Sequence, residues 1–86
     1  MALVFIPAML QDLTQGEAQV RVAGKTVRAI VNQLEERFPG FGKRLLQDGD
    51  LRPDMAVAVD GDIIFDLSDA VAENSEVHFV PPISGG

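Results

Sequence analysis

Between residues 26 and 40 the apolar positions are Val27, Ile30, Val31, Leu34 and Phe38. Their spacing of i, i+3, i+4, i+7 and i+11 is one face of an α-helix. Arg28, Asn32, Glu35 and Glu36 take the opposite face. Thr26 stands at the N-cap, where its hydroxyl can accept an orphan N–H, and Pro39-Gly40 ends the run. A lone amphipathic helix of this kind most often packs on a core. A second, shorter helix is predicted at 41–47, with Leu45 and Leu46 inward.

The rest of the chain reads mainly as short strands. Residues 3–8 form an apolar, β-prone run with Pro7 at its end, and Met9 to Leu13 suits one helical turn. Gln19-Val20-Arg21-Val22 alternates polar and apolar, a second strand paired back on the first. Residues 48–54 are polar and read as a connection, whose acidic spacing lacks the Gly and distal Glu of a calcium loop. Ala56 to Val59 and Asp62 to Phe65 flank Asp60-Gly61, a type I′ hairpin signal. Leu67 and Val71 anchor a connection to a last strand at 75–80. Strand, strand, helix, strand, short strand, strand is the β-grasp, or ubiquitin-like, order. The fold class is therefore α+β, with a mixed sheet of about five strands on one main helix. By alternation Val4, Ile6, Val20, Val22, Val57, Val59, Val77 and Phe79 face the helix. Leu3, Phe5, Pro7, Ile63, His78 and Val80 lie on the far side. An apolar cluster there is either a partner site or ground covered by loops.

Composition narrows the class. Eighty-six residues make one small domain, and 47% hydrophobic content argues against disorder. The apolar runs are too short for a membrane span, and the first residues lack the basic start and cleavage site of a signal peptide. With no cysteine, a reducing cytoplasm is the simplest address. Net charge is −6, unevenly spread: residues 1–46 are basic on balance and residues 47–86 strongly acidic. Nucleic acid does not suit such a chain. The charge serves solubility, or a basic protein partner.

No side-chain catalytic site stands out. His78 is the one histidine, and Ser68, Ser75 and Ser84 lack a nucleophile-elbow context. There is no zinc-protease motif, P-loop or dinucleotide fingerprint. The carboxyl end is different. Residues 1–80 read as the domain and 81–86, Pro81-Pro82-Ile83-Ser84-Gly85-Gly86, as a flexible tail. The prolines cannot extend a paired ladder, and six extended residues reach about 20 Å. Gly85 and Gly86 carry no side chains and fit a channel too narrow for other residues. The Gly86 carboxylate is then the reacting group. It is a poor electrophile until joined to AMP, after which sulfur or nitrogen nucleophiles can attack it.

The ending Glu76-Val77-His78-Phe79-Val80-Pro81-Pro82-Ile83-Ser84-Gly85-Gly86 resembles the MoaD/ThiS family of ubiquitin-like sulfur carriers. Pro-Pro followed by a β-branched residue, Ser and Gly-Gly is the MoaD-like form. The resemblance implies a non-catalytic carrier that binds no cofactor and no metal. A ubiquitin-activating-like adenylyltransferase, using ATP and magnesium, adenylates Gly86, and sulfur from a persulfide then leaves a thiocarboxylate there. Pro81, Pro82, Ile83, Ser84 and Gly85 would be the tail that partners bind. The partner-binding patch would comprise Phe5, Pro7, Ile63 and Val80, with Pro7 and Val80 standing where the family has aromatic residues. The expected acceptor is the large subunit of molybdopterin synthase, in molybdenum cofactor biosynthesis. Cysteine, thiamin, tRNA-thiolation and secondary-metabolite pathways, or protein modification through Gly86, are the alternatives. An inert ubiquitin-like domain is the remaining reading.

Overall fold

A computed structural model of the protein describes residues 1–64 and 66–80. Phe65 and the tail residues Pro81, Pro82, Ile83, Ser84, Gly85 and Gly86 lie outside that range.

The amphipathic run forms α1, Val27–Arg37, which buries Val27, Ile30, Val31 and Leu34. Its three leading N–H groups have no partner within the helix. Here the N–H groups of Val27 and Arg28 donate to the carbonyls of Asp69 and Leu67, at 3.1 and 2.9 Å. The third, on Ala29, donates to Thr26 Oγ1 at 3.1 Å. The 66–75 connection therefore completes the helix start, and Leu67 and Val71 are its buried anchors, as expected.

Five strands form one mixed sheet: β1 (Ala2–Phe5), β2 (Gln19–Val22), β5 (Ala56–Val59), β6 (Asp62–Ile64) and β7 (Glu76–Val80). Their order across the sheet is β2-β1-β7-β5-β6. The last strand lies in the middle, parallel to β1 and antiparallel to β5. All eight residues expected to face the helix are buried, Val4, Val57 and Val77 completely. Burying each such side chain is worth about 1.5–3 kcal/mol before entropy is subtracted. The predicted helical turn after β1 is a 3-10 turn at Ala8–Leu10, with Leu10 in the core and Leu13 packed against it.

The stretch at 41–54 departs from the expectation. The second helix, α2 (Phe41–Leu45), stops short of Gln47 because Leu46 enters β3 (Leu46–Gln47). β3 pairs with β4 (Asp50–Leu51) around Asp48 and Gly49, at φ 55° and 84°. Asp60 and Gly61 turn between β5 and β6 with φ 51° and 90°. Both turns use the same Asp-Gly chemistry, since each needs two successive residues at positive φ. Only the second is flanked on both sides by apolar runs of three or four residues, which made it readable.

Two carboxylates do work that the helical and turn patterns did not show. Glu35 accepts hydrogen bonds from the N–H groups of Gly42 (2.7 Å) and Gly40 (3.1 Å), binding α1 to the start of α2. Gly40 sits at φ 114°, and a Cβ there would lie 3.2 Å from Leu13 Cδ2. Asp60 accepts from the Glu76 N–H at 2.9 Å and from Ser75 Oγ at 2.7 Å, so the hairpin turn also fixes the start of β7.

Thr26→Ala removes the cap on Ala29 and should cost about 1 kcal/mol in urea unfolding; an unchanged midpoint would show that the 66–75 carbonyls suffice. The Gly42 N–H, then that of Gly40, hold the Glu35 carboxyl below its ordinary value of 4.5. A lowered folded-state pKa stabilises the fold above the unfolded value, and that contribution disappears as pH falls through the folded-state value. Glu35→Gln should therefore be less stable than the parent at neutral pH, with the gap closing on acidification. Denaturant unfolding across that range measures it.

Candidate functional site

The far face of the sheet is organised by register. Phe5 pairs with His78, His78 with Ala58, and Ala58 with Ile63. These four residues form one row across β1, β7, β5 and β6, on the face away from α1. Val80 and Ala56 are paired in the next row, toward the carboxyl end of β7. Of the four patch residues expected from the sequence, the row brings Phe5 and Ile63 onto one line and places Val80 beside it. Pro7, half-buried, follows two positions after Phe5, just past the end of β1.

The row holds no carboxylate and no lysine or arginine. Ile63 is 53% and Val80 41% exposed, an unusual cost for apolar side chains on a strand. Between them Ala56 and Ala58 are half-buried and small. Phe5 and His78 stack with ring centroids 4.1 Å apart and planes 6° from parallel. His78 Nε2 lies 3.8 Å from Glu76 Oε1 at the edge of this area.

Ala56 and Ala58 were not singled out from the sequence, and His78, though placed on the far side, was not counted in the partner patch. Alternation already put His78 on the face of Phe5. The missing information was that β1 and β7 are parallel neighbours, which brings the two rings into register. The alanines carry no chemical signal in the sequence.

β7 ends at Val80, between β1 and β5, so the chain leaves the described fold beside this face. The sequence-predicted reacting residue Gly86 and its approach, Pro81 to Gly85, follow from that point and lie outside the described residues. Among the described residues, no group of His, Asp and Glu could hold a metal ion. No described helix is long and apolar enough to cross a membrane.

Comparison with known proteins agrees with this geometry. Among curated relatives, the sulfur carrier protein CysO of Mycobacterium tuberculosis is 32% identical over 89 residues, covering 96% of each chain. A chain in the crystal structure of the Amycolatopsis orientalis BexX/CysO complex superimposes with a TM-score of 0.95 at 28% identity, over 100% of both chains. The crystal structure of Mycobacterium tuberculosis CysO gives a TM-score of 0.90 at 26% identity, over 96% of this chain and 100% of that one. The model of the ThiS family matches residues 4–86, the Gly-Gly end included. With a helix-backed mixed sheet, a central last strand and a match running through the final residue, the chain belongs to the ThiS family of ubiquitin-like sulfur carriers.

Proposed function

We propose that the chain carries sulfur as a thiocarboxylate on Gly86 and takes part in the transfer as a co-substrate, not a catalyst. The family match through the terminal Gly85-Gly86 carries this reading. The Gly86 carboxylate attacks the α-phosphate of ATP in the nucleotide site of an activating enzyme, and pyrophosphate leaves. The terminal sulfur of a persulfide then attacks the acyl carbon, displacing AMP. A thiol breaks the resulting S–S bond, leaving the thiocarboxylate on Gly86 and a disulfide behind. This chain has no cysteine, so persulfide and thiol both belong to other proteins. Magnesium and ATP are consumed by the activating enzyme.

The tail must thread into a partner while the domain stays outside. The apolar row of Phe5, Ala58 and Ile63, with Val80 and Pro7 beside it, is the surface that the partner covers as the tail enters. Its flanking exposed apolar residues gain most from that contact.

The related proteins are CysO carriers, and a CysO is found in complex with BexX. They favour sulfur destined for cysteine or another CysO-like use over the large subunit of molybdopterin synthase, to which the Pro81-Pro82 tail points. The reducing cytoplasm suits a thiocarboxylate in either case.

Intact mass spectrometry tests the carrier role. The chain is incubated with its cognate activating enzyme, ATP, magnesium and a persulfide donor, then alkylated with iodoacetamide. One ATP-dependent alkyl adduct on the fragment ending at Gly86 is expected. Its absence, with the enzyme active on another carrier, would move the assignment to protein modification or to an inert domain. A residue added after Gly86, or Gly86→Ala, should abolish the adduct without changing the unfolding midpoint. Offering the charged carrier to a cysteine-forming enzyme and to a molybdopterin synthase large subunit then identifies the acceptor by which one consumes the thiocarboxylate.

Ile63→Asp should leave stability within about 0.5 kcal/mol, because the side chain is exposed at a sheet edge. The same change should weaken carrier–enzyme binding at least tenfold in calorimetry. Equal binding by the variant would remove the row from the interface.

A further inference from the structure

A second surface adjoins the tail exit, on the side away from the apolar row. Met9, from the turn after β1, Lys43 and Arg44 of α2, and Arg52, Asp54 and Met55 ahead of β5 line a groove of about 290 Å³. Met55 immediately precedes Ala56, which pairs with Val80, the last described residue before the tail. One wall of the groove thus lies a single residue from the strand pairing that carries Val80. Its floor is apolar, with Met55 buried, and Met9 stands 53% exposed at the rim.

The cations are built in. Arg44 donates from Nη2 to Asp12 Oδ2 at 3.1 Å and from Nη1 to the Met9 carbonyl at 3.2 Å. Arg52 Nε lies 3.8 Å from Asp54 Oδ1. The two hydrogen bonds orient the Arg44 guanidinium, while Arg52 is only an ion-pair distance from Asp54, and each keeps further N–H donors. Among the described residues, Lys43 is in no ion pair, and α2 leaves it exposed.

The opposite end of the sheet has the opposite sign. Asp60, Asp62 and Asp69 gather around the β5–β6 turn, with Glu76 at the start of β7 and Glu73 against the Met1 amine. The chain is acidic overall, yet three of its seven Lys and Arg residues meet beside the tail exit. In the field of an acidic surface such a molecule turns its tail end inward.

We infer that this groove is the docking site for an acidic, partly apolar segment on the activating enzyme that receives the tail. Aspartate or glutamate side chains of that segment engage Lys43, Arg44 and Arg52, and an apolar neighbour rests on Met9 and Met55. The groove thus selects and orients the enzyme, while the apolar row supplies contact area. The inference rests on the carrier reading above.

The test measures kcat/KM for ATP-dependent adenylation of the carrier at low and high salt, with pyrophosphate release as the signal. The wild-type value should fall as salt rises. Lys43→Glu with Arg44→Gln should lower the low-salt value roughly tenfold through KM, leave kcat unchanged and flatten the salt dependence. Asp69→Lys, at the acidic end, should keep or raise the wild-type rate. Circular dichroism and thermal unfolding check that the variants fold. If Arg44→Gln loosens its Asp12 contact and unfolds the chain, Lys43→Glu alone keeps the test open, with a smaller loss in the same direction. A salt-independent wild-type rate, or a folded Lys43→Glu chain within twofold of wild type, overturns the inference and leaves the carrier role intact. Failure of the wild type itself to be adenylated overturns both.

Discussion

The position of β7 is the constraint on which the rest depends. It is the last strand in sequence and the middle strand in space. Its Val77 and Phe79 point into the core, and Asp60 and Ser75 fix its start. A tail leaving an edge strand could fray backward into the domain. One leaving a central strand starts at Val80, still paired with Ala56, and fraying past His78 would have to break the ladders to β1 and β5 together. The tail's point of departure is thereby set by the central strand of the sheet. Both surfaces assigned to partners are arranged around that point.

The two faces of the sheet divide the labour. One face is spent on stability: α1, α2 and the anchors Leu67 and Val71 complete a continuous apolar core. The other face keeps apolar side chains at the surface, where they add little to folding. Such a division separates the residues that fix the fold from those that face outward. It also fits relatives below one-third identity that superimpose over nearly their whole length.

How much of this was legible depended on how local the signal was. The helix face, its Thr26 cap, the Asp60-Gly61 turn and strand alternation are set by neighbours a few residues apart, and all could be read directly. The inward set followed, because period two leaves only one choice once a single buried residue is known. The Asp48-Gly49 hairpin was hidden because its strands are two residues long, too short to show a period. Glu35 looked like a solvated helix residue; its role depends on the chain folding back so that Gly40 and Gly42 present their N–H groups. The Phe5–His78 stack joins residues at opposite ends of the sequence, and only the parallel pairing of β1 with β7 sets it. The groove combines three separate segments, so no single stretch announces it. The family motif of the tail was legible for another reason: it needs few residues, in order, at one end, and the family match runs through it.

The parallel pairing of β1 and β7 also has a mechanical meaning. The two strands point the same way, so β1 begins at one end of the sheet and β7 finishes at the other. A pull on the tail, opposed by a hold on the start of the chain, loads the hydrogen bonds between them sideways and all together. Bonds loaded in shear must give way collectively, whereas bonds at the fork of a hairpin peel one by one. The fold is thus strongest when the start of β1 and the end of β7 are drawn apart along the sheet.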